Sequence, residues 1–160
     1  MMLRRHVPRV AAIRLVVVGD RDEESAAVAG DDRRPGVGPS PDLGIVACAD
    51  VDLDPLAVLG LRPGDAHLVT NAGGVVGADT VRDIAASRRS LGVSRVVVVQ
   101  HEPCALLGPG PAPSPPPLDR VARLRASLRR LTRPPLSLPA VSVGGLLRGA
   151  DGRVTAVRIT

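Results

Sequence analysis

The chain has 160 residues, of which 44% are hydrophobic and none is Phe, Tyr or Trp. This length predicts a single domain over residues 1–160 and is too short for two comfortable ones. The formal net charge is +5, but the arginines that carry it are scattered and no aromatic ring is available for base stacking, so we expect no nucleic-acid partner.

The apolar stretch near the start is interrupted by Arg9 and Arg14 before it reaches the length of a secretion signal. No other run is long enough to cross a membrane, so we expect a cytoplasmic protein without a membrane partner. Two cysteines, Cys48 and Cys104, allow three interpretations: one disulfide in an exported protein, a shared metal, or plain burial.

Continuous runs of Val, Ile and Leu predict strands that are buried on both faces, which is typical of a mainly parallel sheet with helical crossovers. In chain order the runs are RLVVVG at 14–19, LGIVACA at 43–49, AHLVTNA at 66–72 and SRVVVVQ at 94–100. The C-terminal segment alternates about Asp151-Gly152 and predicts a hairpin. The sequence therefore predicts an α/β fold, with an antiparallel hairpin at one edge of the sheet.

Three segments between these runs predict helices. A short helix is expected to follow the cap Asp54 and the first-turn Pro55. A longer one lies within 77–92, with Asp79 or Thr80 as its cap and a glycine at its end, and a basic amphipathic helix covers 118–131. The polar segment 20–42 is predicted to be a loop, and the proline-rich segment 108–117 a stiff connector.

Cys48 and Cys104 both follow strand-like runs, as does His101 in the segment VVQHEPCALL. The carboxyl ends of parallel strands line the crevice where ligands bind, so two sulfurs and one nitrogen can meet there, a donor set that suits zinc. Asp50 offers an oxygen as a fourth group. Chance spacing and buried free cysteines are the alternative explanations of this pattern.

The stretches CADVDLDPLAVLGLRPGDAHLVTNAGG and DTVRDIAASRRSLGVSRVVVVQHEPCALL resemble the beta-class carbonic anhydrases, zinc enzymes that hydrate carbon dioxide to bicarbonate. The resemblance covers about residues 42–160 and includes the C-terminal segment VSVGGLLRGADGRVTAV. It implies that Cys48, His101 and Cys104 bind zinc. It also implies that Asp50 either orients the reactive water as a catalytic residue or, in a closed form, binds zinc itself.

The same resemblance matches Asn71, Gly73 and Gly74 to the strand-end loop beside the substrate, and it implies a homodimer. Paired glycines before a helix also have a purely structural explanation, since they often mark a tight turn. The segment NAGGVVGADT could instead be a phosphate loop of a nucleotide-binding module, but it lacks the lysine and the spacing of such a loop.

One departure from the family pattern concerns the arginine that follows the aspartate by two residues and holds it off the metal. Here Val51-Asp52 stands where Ser-Arg is expected. Two hypotheses follow: a carbonic anhydrase of low activity, or a non-catalytic zinc protein that keeps the fold and the metal. Another arginine, such as Arg62 or Arg82, could take the missing one's place in space.

Overall fold

The computed structural model describes residues 42–107, 119–132 and 142–159. Within these ranges one sheet has the spatial order β2-β1-β3-β4-β5, and its strands are β1 Leu43–Cys48, β2 His67–Asn71, β3 Arg95–His101, β4 Ser142–Arg148 and β5 Val154–Val157. The first four strands run parallel, and β5 is antiparallel to β4. The predicted α/β fold with an antiparallel C-terminal edge is confirmed. The predicted strand 14–19, residues 20–41 of the predicted loop and the connector 108–117 lie outside the described residues.

The described helices are α1 Pro55–Leu59, α2 Ala78–Leu91 and α3 Arg120–Thr132. Asp54 caps α1 as predicted, because its carboxylate accepts hydrogen bonds from the first-turn N–H groups of Leu56 and Ala57 at 3.1 and 3.0 Å. The predicted cap of α2 is wrong. The cap is Gly77, and the hydroxyl of Thr80, inside the first turn, accepts the N–H of Gly77 at 3.4 Å.

The core lies on both faces of β3, which has four consecutive valines. Val96 and Val98 pack with residues of α2 and α3, whereas Val97 and Val99 pack on the opposite face with residues of β1 that include Cys48. This alternation is the period-two geometry of a strand. It places His101, at the end of β3, on the face of Val97 and Val99.

The order of the strands around β1 predicts a ligand site at the carboxyl ends of the strands. The chain passes from β1 to β2 on one side, and then returns to β3 on the other side of β1. Such a reversal of direction is the point in an open α/β sheet where the carboxyl ends of strands leave room for a ligand. Cys48 ends β1 and His101 ends β3, so both residues lie at this carboxyl edge. In the described ranges no helix has the length and apolar character needed to span a bilayer.

Candidate metal centre

Three of the predicted ligands lie together at the carboxyl edge of the sheet. The sulfur atoms of Cys48 and Cys104 are 3.5 Å apart, and a ring nitrogen of His101 lies within 4.8 Å of both. Cys104 reaches this point because the chain turns back immediately after β3 and enters a short 3-10 turn at Ala105–Leu107. Residues from two strands and one loop thus offer two sulfurs and one nitrogen to a common position.

His101 supplies the clearest sign that this position suits a metal. Its Nε2 atom is buried and has no hydrogen-bond partner among the described residues, and the nearest carboxylate oxygen, Oδ2 of Asp50, is 3.7 Å away. A buried polar atom without a partner is costly and rare in folded proteins. A cation between the sulfurs and this nitrogen would satisfy its lone pair, so the residues present fit zinc.

The sulfur of Cys48 also accepts two backbone hydrogen bonds, from the N–H of Gly73 at 3.2 Å and from the N–H of Asp50 at 3.4 Å. These two hydrogen bonds fix the position of the sulfur at the end of β1. Burial raises the pKa of the Cys104 thiol, and its contact with Cys48 raises it further. A bound divalent cation would favour the deprotonated form of Cys104 instead, because a thiol that coordinates a metal loses its proton.

Asp50 is buried beside the three ligands but lies outside their group. Its Oδ2 atom accepts the backbone N–H of Ala105 at 2.8 Å, and its Oδ1 atom accepts the N–H of Asp52 at 3.2 Å. The Ala105 hydrogen bond, followed by that of Asp52, holds the pKa of the Asp50 carboxyl below its ordinary value. The side chain is therefore an ionised carboxylate at neutral pH. Its predicted roles as a catalytic residue and as a metal ligand stay predictions.

The loop after β2 forms a wall of the site. The side-chain amide of Asn71 donates to the carbonyl of Val75 at 2.9 Å and to the hydroxyl of Thr80 at 3.1 Å, and it accepts the N–H of Val75 at 2.9 Å. These bonds fix the path of the two glycines between them. The roles of Asn71, Gly73 and Gly74 in substrate binding stay predictions.

The two glycines allow this loop to approach the sheet. A Cβ on Gly73 would lie 2.4 Å from the side chain of Leu107, and one on Gly74 would lie 2.9 Å from the backbone nitrogen of Cys48. The carbonyl of Gly74 accepts the side-chain N–H of Gln100 at 2.9 Å. Sequence reasoning missed Gln100, although a polar residue that ends a run of buried valines was the signal for it.

The arginine expected beside Asp50 has no substitute among the described residues. Val51 is 97% exposed, and the side chain of Asp52 is also exposed. Arg82 forms an ion pair with Asp79 on the surface of α2. Within the part of the chain that the structure describes, the hydrogen bonds to the Asp50 carboxylate come from backbone N–H groups alone.

Comparison with known proteins places the chain in a family, although no protein-family model matches it. Beta-carbonic anhydrase 1 of Mycobacterium tuberculosis is 34% identical over 125 residues, which cover 68% of this chain and 77% of that protein. Carbon disulfide hydrolase of Saccharolobus solfataricus is 34% identical over 65 residues, covering 41% of this chain and 32% of the hydrolase. The crystal structure of carbonic anhydrase from Streptococcus mutans superposes with a TM-score of 0.65 at 28% identity, covering 79% of this chain and 88% of that one. With this identity over two thirds of its length and the same fold, the chain belongs to the beta-carbonic anhydrase family.

Proposed function

We propose that the protein is a zinc-dependent carbonic anhydrase, which catalyses the reversible hydration of carbon dioxide to bicarbonate. The observation that carries this proposal is the meeting of two thiols with a buried imidazole nitrogen that has no hydrogen-bond partner among the described residues, in a member of this family. Cys48, His101 and Cys104 would hold the zinc. When bound, zinc would supply the Lewis acidity that makes water nucleophilic near neutral pH.

The remaining side chains of the site would position the reactants. Asp50 is ionised and buried, so its carboxylate can accept a hydrogen bond from water and fix the direction of the water's lone pair. The N–H groups of Gly73 and Asp50 fix the sulfur of Cys48, and thereby the position of one ligand.

Carbon dioxide is proposed as substrate in preference to carbon disulfide because of the extent of the two similarities. The match to the beta-carbonic anhydrase covers 68% of this chain and 77% of the relative, against 41% and 32% for the carbon disulfide hydrolase. Both compounds are small linear molecules, so a parallel assay for hydrogen sulfide release from carbon disulfide compares the two directly.

The second candidate function is that of a non-catalytic zinc protein. It is favoured by Asp52, which stands where the resemblance predicts an arginine. Zinc with two thiolates is neutral, so an ionised Asp50 leaves the centre with one negative charge, and no arginine of the described residues pairs with that carboxylate. Negative ligands weaken the ability of a metal to acidify water.

The test is stopped-flow hydration of carbon dioxide with zinc-loaded protein, together with the zinc content per chain. His101→Ala is expected to lose bound zinc and hydration together, because one of three ligands is gone. His67→Ala is the matched control, since this histidine lies at the start of β2, away from the carboxyl edge, and both properties should be unchanged.

The outcomes separate the two candidates. Turnover by the native protein rejects the non-catalytic function. Turnover only in Asp52→Arg rejects the native protein as a carbonic anhydrase and supports a zinc protein that has lost activity. Failure of reduced, folded protein to take up zinc rejects the metal centre and both candidates with it.

We also propose a homodimer in the cytoplasm. Several apolar side chains are exposed, among them Val51 at 97%, Leu106 at 49% and Leu68 at 40%, and a second copy of the chain could cover them. Both cysteines are free, as metal-binding thiols in a reducing compartment would be. Light scattering should give twice the 16.5 kDa mass of the chain, and a monomer would reject the dimer.

A further inference from the structure

We propose that the backbone N–H of Ala105 holds the carboxylate of Asp50 off the metal and so keeps the centre open to a ligand from solvent. Ala105 would then be a positioning residue that acts through its backbone N–H and not through its side chain. This inference rests on the proposed function, because it concerns the same metal centre.

The Ala105 hydrogen bond restrains the oxygen of Asp50 that lies nearer to the proposed ligands. Oδ2 is the atom that lies 3.7 Å from Nε2 of His101, so it is the oxygen that a small movement would bring to the metal. The same Oδ2 accepts the N–H of Ala105 at 2.8 Å, a shorter hydrogen bond than the one that Oδ1 accepts from Asp52 at 3.2 Å. The stronger restraint therefore acts on the oxygen that could close the site.

The two N–H donors to Asp50 belong to different parts of the chain. The N–H of Asp52 comes from a turn only two residues from Asp50, with Val51 fully exposed, so this donor can move together with the carboxylate it binds. The N–H of Ala105 is 55 residues away in sequence and directly follows Cys104. Its turn is closed by a hydrogen bond from the N–H of Leu107 to the carbonyl of Cys104 at 3.2 Å. A metal bound by Cys104 would therefore fix this donor further.

The test uses cobalt(II) in place of zinc, because its visible absorption reports the number and identity of its ligands. Azide should change the spectrum of the native protein, since an open centre accepts an anion. Ala105→Pro removes the N–H, and proline is tolerated at the first position of a helical turn. In this variant Asp50 should fill the open position, and the apparent affinity for azide should fall at least tenfold. Ala105→Gly keeps the N–H and should respond like the native protein.

A double variant separates this role from a general structural effect. Removal of the carboxylate in Asp50→Ala/Ala105→Pro should restore the azide response, because closure needs that carboxylate. The proposal is overturned if the native cobalt protein ignores azide, if folded Ala105→Pro responds as the native protein does, or if the double variant is as unresponsive as Ala105→Pro.

Hydrogen exchange tests the Ala105–Asp50 hydrogen bond if Ala105→Pro does not fold. In the zinc-loaded native protein, hydrogen exchange of the Ala105 amide should be slow, and it should accelerate at least tenfold in Asp50→Ala. Equal exchange in the two proteins would overturn the proposal. Failure to bind cobalt or zinc would instead reject the metal centre, whereas an azide-responsive centre without carbon dioxide hydration would reject only the activity.

Discussion

Gly74 lies where an added methyl group would collide with the backbone of the two central strands. Its φ is 60°, and a Cβ there would be 2.9 Å from the nitrogen of Cys48 and 3.0 Å from the carbonyl oxygen of Val99. A left-handed conformation costs a non-glycine residue about 1–2 kcal/mol. Overpacking adds about 1–3 kcal/mol. We therefore expect Gly74→Ala to lower the free energy of unfolding by about 2–5 kcal/mol.

Gly60→Ala is the matched control, because Gly60 has a similar φ of 68° but no atom within 4 Å of the added Cβ. Gly60→Ala should lower the free energy of unfolding only by the cost of the left-handed conformation, about 1–2 kcal/mol. Urea unfolding of both variants at one fixed zinc concentration measures this difference in the free energy of unfolding. With an ordinary dependence of that free energy on urea, the two unfolding midpoints should differ by about 1 M. Gly74→Ala should also bind zinc more weakly in competition with a chelator, since the strain falls on Cys48. Equal midpoints for the two variants would refute the steric argument.

Two further predictions concern an ion pair and the thiols. The side chain of Arg95 holds the pKa of the Asp42 carboxyl below its ordinary value, so the stabilisation is present above the unfolded pKa of about 3.9 and is lost as pH falls through the lower folded pKa. Asp42→Asn should therefore cost less than about 1 kcal/mol at pH 7, because the pair is partly exposed, and its deficit should disappear near pH 2 in urea unfolding. In metal-free protein the sulfurs of Cys48 and Cys104, 3.5 Å apart, should form a disulfide with excess glutathione disulfide, whereas zinc-loaded protein keeps both thiols in a thiol titration.

The regular elements were predictable because each has a local physical cause. Four consecutive valines in β3 are all buried, which a strand with two covered faces allows. Asp54 predicted the start of α1 because its carboxylate can accept the first N–H groups of a helix. The start of α2 was predicted too late, because Asp79 and Thr80 offer side-chain acceptors and Gly77 has none, whereas the Thr80 hydroxyl reaches back to the N–H of Gly77 from inside the helix.

In the candidate site, the side-chain ligands were predictable from the sequence and the backbone hydrogen-bond donors were not. The thiols and the imidazole were predicted because ligand side chains at strand ends leave a signal in sequence, and the structure brings those three together. The hydrogen bonds from Gly73 to Cys48 and from Ala105 to Asp50 leave none, because every residue except proline carries a backbone N–H. Only the folded path of the chain shows which of these donors point at the site.

A backbone donor and an arginine are not equivalent partners for a buried carboxylate. The N–H of Ala105 is neutral, so it can position Asp50 without cancelling its charge, whereas a guanidinium would do both. Restoring arginine at position 52 would therefore change mainly the electrostatics of the centre, since the position of the carboxylate is already set by the backbone. A gain of turnover in Asp52→Arg, with an unchanged azide response of the cobalt protein, would assign the effect of that substitution to charge. A changed azide response would assign it to the geometry of Asp50.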